Sequence, residues 1–341
     1  MRTRVFITQP IDDGALQRLR SIADVEINPD PLHILSIDEL TAAVRRCDIL
    51  YCMLHDRVPR AVIEANSRLR AIVSTTVTPA DIEVAAATAR GIPVTVIPAA
   101  LLNDATADLA WALLMAVSRR VCEADRMARC GVIPGSQSNY FEGTGIAGKT
   151  LGLLGMGGVG REMAARALGF KMRTLYHDPR RLSAIEERTL RLEWVSFDDV
   201  FRCADFVSLH VALTPQTRHM VDARALAFLK PGAFLVNTAR GAIVDEEALI
   251  AALEGGALAG AGLDVFETEP GIDARLLARS NVVVTAHMGS AVRELRAAMA
   301  GIVVDNIAAI LAGRPAPNCC NPEVYSQSVP LSARSNDGGK S

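Results

Sequence analysis

Apolar positions along this chain alternate between two rhythms. Short continuous apolar runs predict buried strands, and apolar residues three and four apart predict helices between them. Val5-Phe6-Ile7-Thr8 predicts a first strand, and Asp13 to Ile22 a helix with Leu16, Leu19 and Ile22 on one face. Ser36-Ile37-Asp38-Glu39 is a capping box, with Ser and Glu three apart, opening a helix that runs to about Arg46. Ile49 to Leu54, Ala71 to Val73 and Pro93 to Ile97 predict further strands, separated by helical stretches at Pro59 to Asn66 and Asp81 to Arg90. Strand and helix in alternation predict a parallel sheet covered on both faces.

The rhythm then changes. Ala105 to Arg129 predicts one long helix, and Gly131 to Gly148, rich in Gly, Ser and Asn, predicts a loop. A second alternating series starts at Thr150, with strands at Met172 to His177, Phe206 to Leu209, Ala233 to Val236, Gly260 to Leu263 and Val282 to Thr285. Ser290 to Ala312 predicts a last long helix. The tail from Asn318 to Ser341 mixes Pro, Ser, Asn and Gly without periodicity and predicts an irregular arm.

Composition narrows the class. A chain of 341 residues, half of them hydrophobic, has room for about two domains with a core each. The formal net charge is −2, with both signs interspersed, so no basic stripe points to a nucleic acid or a membrane surface. The seven cysteines show neither C-x-x-C pairing nor zinc spacing. They read as reduced, mostly buried thiols of a cytoplasmic protein without a metal site. Met1 to Arg4 run straight into a strand, which predicts no signal peptide, and no apolar stretch reads as a membrane span.

The candidate chemistry starts at Gly155-Met156-Gly157-Gly158-Val159-Gly160, behind the strand Thr150 to Leu154 and ahead of a helix from Arg161 to Leu168. The following strand ends at Asp178, 18 residues beyond Gly160. Strand, G-x-G-x-x-G, helix, strand, acid is a dinucleotide-binding fingerprint. Gly155 serves the turn, Gly157 the approach of a diphosphate and Gly160 the helix packing, while free helix amides hold the phosphates. A carboxylate at Asp178 suits the ribose hydroxyls of NAD and repels a 2′-phosphate. Arg180 and Arg181 leave NADP as an alternative.

Three more segments end strands further on: Val236-Asn237-Thr238-Ala239-Arg240-Gly241, Asp264 to Pro270, and Thr285-Ala286-His287-Met288-Gly289-Ser290. Parallel sheets bind ligands at the carboxyl ends of their strands, so Arg240, Glu269 and His287 are expected to converge there. Singly each reads as a surface charge, a loop acid and a structural histidine. Together, behind a cofactor loop, they read as a catalytic set.

The ordered set G-x-G-x-x-G, N-T-A-R-G, D-V-F-E-x-E-P and H-x-G-S resembles the D-isomer-specific 2-hydroxyacid dehydrogenase family over about residues 3 to 315. The resemblance implies a Rossmann dinucleotide domain inserted into a discontinuous flavodoxin-like substrate domain. It places the substrate domain at 1–102 and 291–317, the NAD domain at 103–290 and an arm at 318–341. It implies hydride transfer between nicotinamide and a small D-2-hydroxy or 2-oxo acid. His287 would be the acid/base, Glu269 its partner, and Arg240 the substrate-carboxylate ligand. Cofactor contacts are implied for Thr106, Gly155, Gly157, Gly158, Val159, Gly160, Asp178, Thr238, Ala239, Arg240, Asp264, His287, Gly289 and Ser290.

The pattern departs from the family in the loop after Ala71 to Val73, where backbone amides normally bind the substrate carboxylate. Here Thr78 takes the usual Gly position and Pro79 lacks an N–H, leaving Thr76, Val77 and Thr78 as the substrate-loop candidates. Tyr140 to Gly145 and His287 to Arg293 resemble segments of phosphite dehydrogenases, but Val77 stands where that subfamily carries a lysine. Oxidation of phosphite or a phosphonate is the alternative reaction, and an NADH-sensing non-catalytic scaffold the alternative of another class. Family resemblance also implies a homodimer, with Ala105 to Arg129 in its interface.

Overall fold

The computed structural model describes residues 2–79, 81–134 and 139–326. The chain folds into two compact units, Met1–Leu101 with Val292–Ser341, and Leu102–Ala291. Each carries one all-parallel sheet, so the architecture is α/β in both.

In the first unit, β1 (Arg4–Ile7), β2 (Asp24–Ile27), β3 (Ile49–Cys52), β4 (Ala71–Ser74) and β5 (Val94–Thr95) lie in the order β2-β1-β3-β4-β5. That is the flavodoxin-like order. Strands β3 and β4 are buried at every position because helices cover both faces. Leu50 and Cys52 face a core of Leu40, Val44, Val62, Ile63 and Ala87 from the helices Ile37–Val44, Arg60–Glu64 and Val84–Ala89. The helices Asp13–Ile22 and Arg293–Leu311 pack together on the unit as well. Burying a side chain the size of Leu50 or Ile63 contributes about 1.5–3 kcal/mol. The capping box forms as read: Ser36 Oγ accepts the Glu39 amide at 3.3 Å, and Glu39 Oε2 accepts the Ser36 amide at 2.8 Å.

Strand β2 was not anticipated. Its sequence, Asp-Val-Glu-Ile, alternates exposed and half-buried positions on the sheet edge, so it carries no apolar run. The C-terminal segment also gains structure from that sheet. Asn318 O accepts the Val96 amide at 3.1 Å, and the Cys320 amide donates to Val94 O at 2.9 Å. The buried Asn321 carboxamide accepts the Val94 amide and donates to Thr88 Oγ1 and Ile92 O. The arm expected at 318–341 thus begins as an edge segment on β5, and its residues 327–341 lie outside the described residues.

In the second unit, β6 (Thr150–Leu154), β7 (Arg173–His177), β8 (Leu192–Trp194), β9 (Phe206–Leu209), β10 (Ala233–Asn237), β11 (Leu258–Leu263) and β12 (Val282–Val284) lie in the order β12-β11-β10-β9-β6-β7-β8. The order reverses between β6 and β9, as in a Rossmann sheet, and that junction is where such sheets open a ligand crevice. Phe206 and Phe234, on neighbouring strands β9 and β10, stack with ring centroids 5.2 Å apart.

The single long helix expected at Ala105 to Arg129 is two, Asn103–Ser118 and Val121–Arg129. Arg120 breaks it in the left-handed region, φ 54°. Its guanidinium pairs with Glu123 at 2.7 Å and lies 3.9 Å from the Phe141 ring centre, which holds the break. By length and composition Ala99–Ser118 is apolar enough to cross a membrane. Its apolarity has a use inside the fold, since Ala107, Ala110, Trp111, Leu113, Leu114 and Val117 are all buried. All seven cysteines are unpaired, but the expectation that most are buried fails: only Cys47 and Cys52 are, while Cys130 and Cys320 are exposed.

Candidate active site

The glycine loop of the second unit turns from β6 into the helix Gly158–Gly169. Gly155 has φ +90°, and a Cβ there would lie 2.6 Å from His210 O, so both conformation and space require glycine. Gly157 is exposed and meets nothing within 4 Å, which leaves its surface open to a ligand. Gly158 and Val159 begin the helix, and Gly160 is buried against the Gly155 carbonyl of the same loop, where a Cβ would not fit. The loop is tied from two sides. Asp178 Oδ2 accepts the Met156 amide at 2.9 Å, and Arg161 donates to Met156 O at 2.6 Å while pairing with Glu186.

Asp178 Oδ1 also accepts the Arg180 amide at 2.9 Å. The two arginines after it differ. Arg181 is engaged by Glu187 at 2.8 Å, and Glu187 also accepts the Tyr176 hydroxyl at 2.7 Å. Arg181 and Tyr176 hold the Glu187 carboxyl at about 2, well below the usual range. Arg180 is exposed at the strand end.

Three strand ends bring the catalytic candidates. After β10, the buried Asn237 folds the loop, its Oδ1 accepting the Ala239 amide at 3.0 Å and its Nδ2 donating to Arg240 O at 2.9 Å. Arg240 is half-buried, and its Nη1 donates to Ala239 O at 2.6 Å. A Cβ at Gly241 would run into the Phe266 carbonyl, so a glycine there fixes where Arg240 leaves the strand. The hydroxyl of Thr238 is buried without a partner among the described residues. Such a group is costly unless something bonds it.

After β11, Asp264 is buried and spends both oxygens on the next loop. Oδ1 accepts the Met288 amide at 2.7 Å and Thr285 Oγ1 at 2.6 Å, and Oδ2 accepts the Gly289 amide at 2.9 Å. Its carbonyl accepts the His287 amide at 2.9 Å. His287 is thereby held with φ +51°, a conformation few non-glycine residues adopt. Its Nδ1 lies 2.7 Å from Glu269 Oε2, and Glu269 Oε1 accepts the Phe266 amide at 3.0 Å. Gly289 is buried beside Thr106, whose Oγ1 would lie 3.5 Å from a Cβ added there. Ser290, half-buried, closes the loop.

So within this unit Glu269 and His287 are in contact, Asp264 carries the histidine loop, and Thr106 meets that loop from the Asn103–Ser118 helix. Two neighbours escaped sequence reasoning. Asn237 had a signal, an Asn two residues before the amide it accepts, which is the Asx-turn pattern. His210 follows the end of β9, accepting or donating at Ser208 Oγ, 2.9 Å from its Nε2, with its carbonyl against Gly155. Burial pushes its pKa down to about 3, so the ring is neutral near pH 7. Its place at a strand end beside the switch point was the available signal.

The substrate-loop candidates belong to the first unit. After β4, Ser74 Oγ accepts the Thr76 amide at 3.0 Å and lies 2.7 Å from Thr76 Oγ1. The Ile97 amide donates to Thr76 O at 2.9 Å. Val77 is half-buried and Thr78 exposed, and among the described residues their amides donate to no protein acceptor.

Comparison with known proteins supplies the remaining findings. Residues 111–289 match the model of the D-isomer specific 2-hydroxyacid dehydrogenase NAD binding domain. The chain is 41% identical to the glyoxylate reductase of Thermococcus litoralis over 334 residues, which is 97% of this chain and 100% of that one. The crystal structure of the TT0316 protein from Thermus thermophilus superposes with a TM-score of 0.85 at 40% identity, covering 93% of this chain and 99% of that one. A glyoxylate reductase structure from Paecilomyes thermophila superposes with a TM-score of 0.78 at 30% identity, covering 94% and 98% of the two chains.

Proposed function

The chain belongs to the D-isomer specific 2-hydroxyacid dehydrogenases, which use NAD, and from that premise we propose that it reduces small 2-oxo acids. Glyoxylate and hydroxypyruvate are the first substrates to test, glyoxylate because relatives 40% identical over nearly the whole chain are glyoxylate reductases. The observation that carries the reading is the contact between His287 and Glu269 at 2.7 Å.

In this reading the residues divide the work as follows. The imidazolium of His287 gives its proton to the carbonyl oxygen as that oxygen gains charge, and takes it back in the reverse direction. The Glu269 carboxylate orients the ring through its contact with Nδ1. Arg240 holds the substrate carboxylate with its planar fork and polarises the adjacent carbonyl. When bound, NADH supplies the hydride. The open surface at Gly157 and the amides of the Gly158–Gly169 helix fit its diphosphate. Asp178 fits the adenosine ribose, and the unpartnered hydroxyl of Thr238 fits a cofactor contact. Thr106, Ala239, Asp264, Gly289 and Ser290 complete the cofactor wall. In the first unit, the amides of Val77 and Thr78 are the anion-binding groups, with the Thr76 hydroxyl engaged by Ser74.

Turnover of NADH with glyoxylate, hydroxypyruvate and larger 2-oxo acids tests the proposal. His287→Ala should abolish turnover while NADH still binds. Turnover that survives the substitution, or none with any 2-oxo acid, would overturn it.

We also propose a homodimer. The family resemblance supports it, and Val121, Val132, Ile133 and Tyr140 are exposed apolar side chains between residues 121 and 140 of the second unit. A monomeric mass by light scattering would refute this.

A further inference from the structure

The helix Asn103–Ser118 starts its first turn beside the glycine loop. Asn103 projects its carboxamide against Gly158, the first residue of the helix Gly158–Gly169, and a Cβ at Gly158 would collide with all three terminal atoms of that side chain. No motif pointed to Asn103. The residue is half-buried, and among the described residues no protein donor or acceptor engages its carboxamide. It does not cap its own helix, because a 3-10 turn, Ala99–Leu102, runs directly into that helix and Leu102 occupies the cap position.

The same helix face continues one turn on. Thr106, three residues later, comes against Gly289 of the histidine loop, and positions three apart share a helix face. One edge of this helix therefore runs from the glycine loop to the loop of His287. A carboxamide placed there has two N–H donors, and its neighbours are the outward amides of a helix N-terminus beside the open Gly157.

We propose that Asn103 is a further cofactor ligand, donating from its carboxamide to a diphosphate oxygen of NADH. The inference rests on the reading that the glycine loop holds the diphosphate. It also accounts for Gly158. A side chain at that position would itself cover the loop, and its absence gives the Asn103 carboxamide the space.

The test is binding, not turnover. NADH is titrated by its fluorescence, and ADP-ribose, which carries the diphosphate without the nicotinamide, by displacement. Asn103→Ala should weaken both about tenfold, the size expected for one hydrogen bond to a charged acceptor. Asn103→Asp should weaken both further, and more at low salt, because it sets a carboxylate against the diphosphate. The thermal midpoint of each unliganded variant should stay that of the wild type. If Asn103→Ala does not fold, Asn103→Ser takes its place with the same expected loss. Unchanged affinity for both ligands overturns the role of Asn103 alone. A loss for NADH without a loss for ADP-ribose overturns the diphosphate assignment. Wild-type protein that binds neither ligand overturns the glycine-loop reading itself, and this proposal with it.

Discussion

Glu269 holds His287 by one carboxylate oxygen and its own loop by the other. Oε2 lies 2.7 Å from His287 Nδ1, and Oε1 accepts the Phe266 amide at 3.0 Å. The ring is thus oriented by a group that is itself fixed to the backbone after β11. Glu269→Gln keeps the shape and a hydrogen bond but removes the negative charge beside the ring of the proposed proton donor. We expect the 2-oxo acid reductase kcat to fall on the order of a hundredfold, within the range that positioned acid–base groups supply. The NADH dissociation constant should stay within about twofold. A kcat equal to wild type in single-turnover measurements would remove Glu269 from the catalytic set.

Arg240 owes its placement to Asn237 and Gly241, so its fork leaves the strand end in a fixed direction. A lysine at this position keeps the charge and loses the paired, planar donors. Arg240→Lys is expected to lower kcat/KM for glyoxylate on the order of a hundredfold, about 2.7 kcal/mol of transition-state binding. Both KM and kcat should suffer, because the carboxylate is held in the ground state and aligned in the transition state. A loss confined to NADH binding would place Arg240 on the cofactor instead.

Asp178 does two jobs that a single substitution cannot separate. In the proposed function it accepts the ribose hydroxyls, and in the structure it holds the Met156 amide of the glycine loop. Asp178→Ser should therefore raise the NADH KM roughly tenfold while raising the NADPH/NADH ratio of kcat/KM at least tenfold, as like-charge repulsion is lifted. Arg181 is already engaged by Glu187, so it adds little to that gain. In the double variant Asp178→Ser, Glu187→Gln, Arg181 loses its ionic partner and the ratio should rise further. Steady-state kinetics with both cofactors decides the matter. An unchanged ratio would mean that Asp178 does not meet the ribose.

How far these features could be read in advance depended on whether their cause was local. The buried strands β3, β4 and β6 are continuous apolar runs, and the Ser36 box is complete within four residues, so both were legible. Strand β2 was not, because an edge strand with alternating burial needs no apolar run. The break at Arg120 was invisible for a different reason. It is held by Glu123 and by Phe141, and the second contact comes from a loop 21 positions away. The same division runs through the site. Arg240, Glu269 and His287 were legible as residue types at strand ends. The work of Asp264 on the histidine loop and the reach of Asn103 to Gly158 depend on contacts between distant segments.

Asp56 offers a pH test of the first unit. It is a buried carboxyl that accepts the Met53 amide at 2.6 Å and the Thr8 hydroxyl, fixing the turn after β3. That turn touches the loop after β4, where Thr75 Oγ1 lies 3.3 Å from Met53 Sδ. Burial pushes the Asp56 pKa above the usual aspartate value, and the Met53 and Thr8 donors oppose this without cancelling it. The folded protein then holds the proton more tightly than the unfolded chain. The associated stability is fully present below the unfolded aspartate pKa and is lost as pH rises through the raised folded value. Asp56→Asn keeps an acceptor for the Met53 amide and has no proton to lose. Its urea midpoint relative to wild type should therefore rise between pH 3 and pH 7, whatever the offset at pH 3. A difference that stays flat or falls over that range would show that Asp56 ionises in the fold as easily as in the unfolded chain.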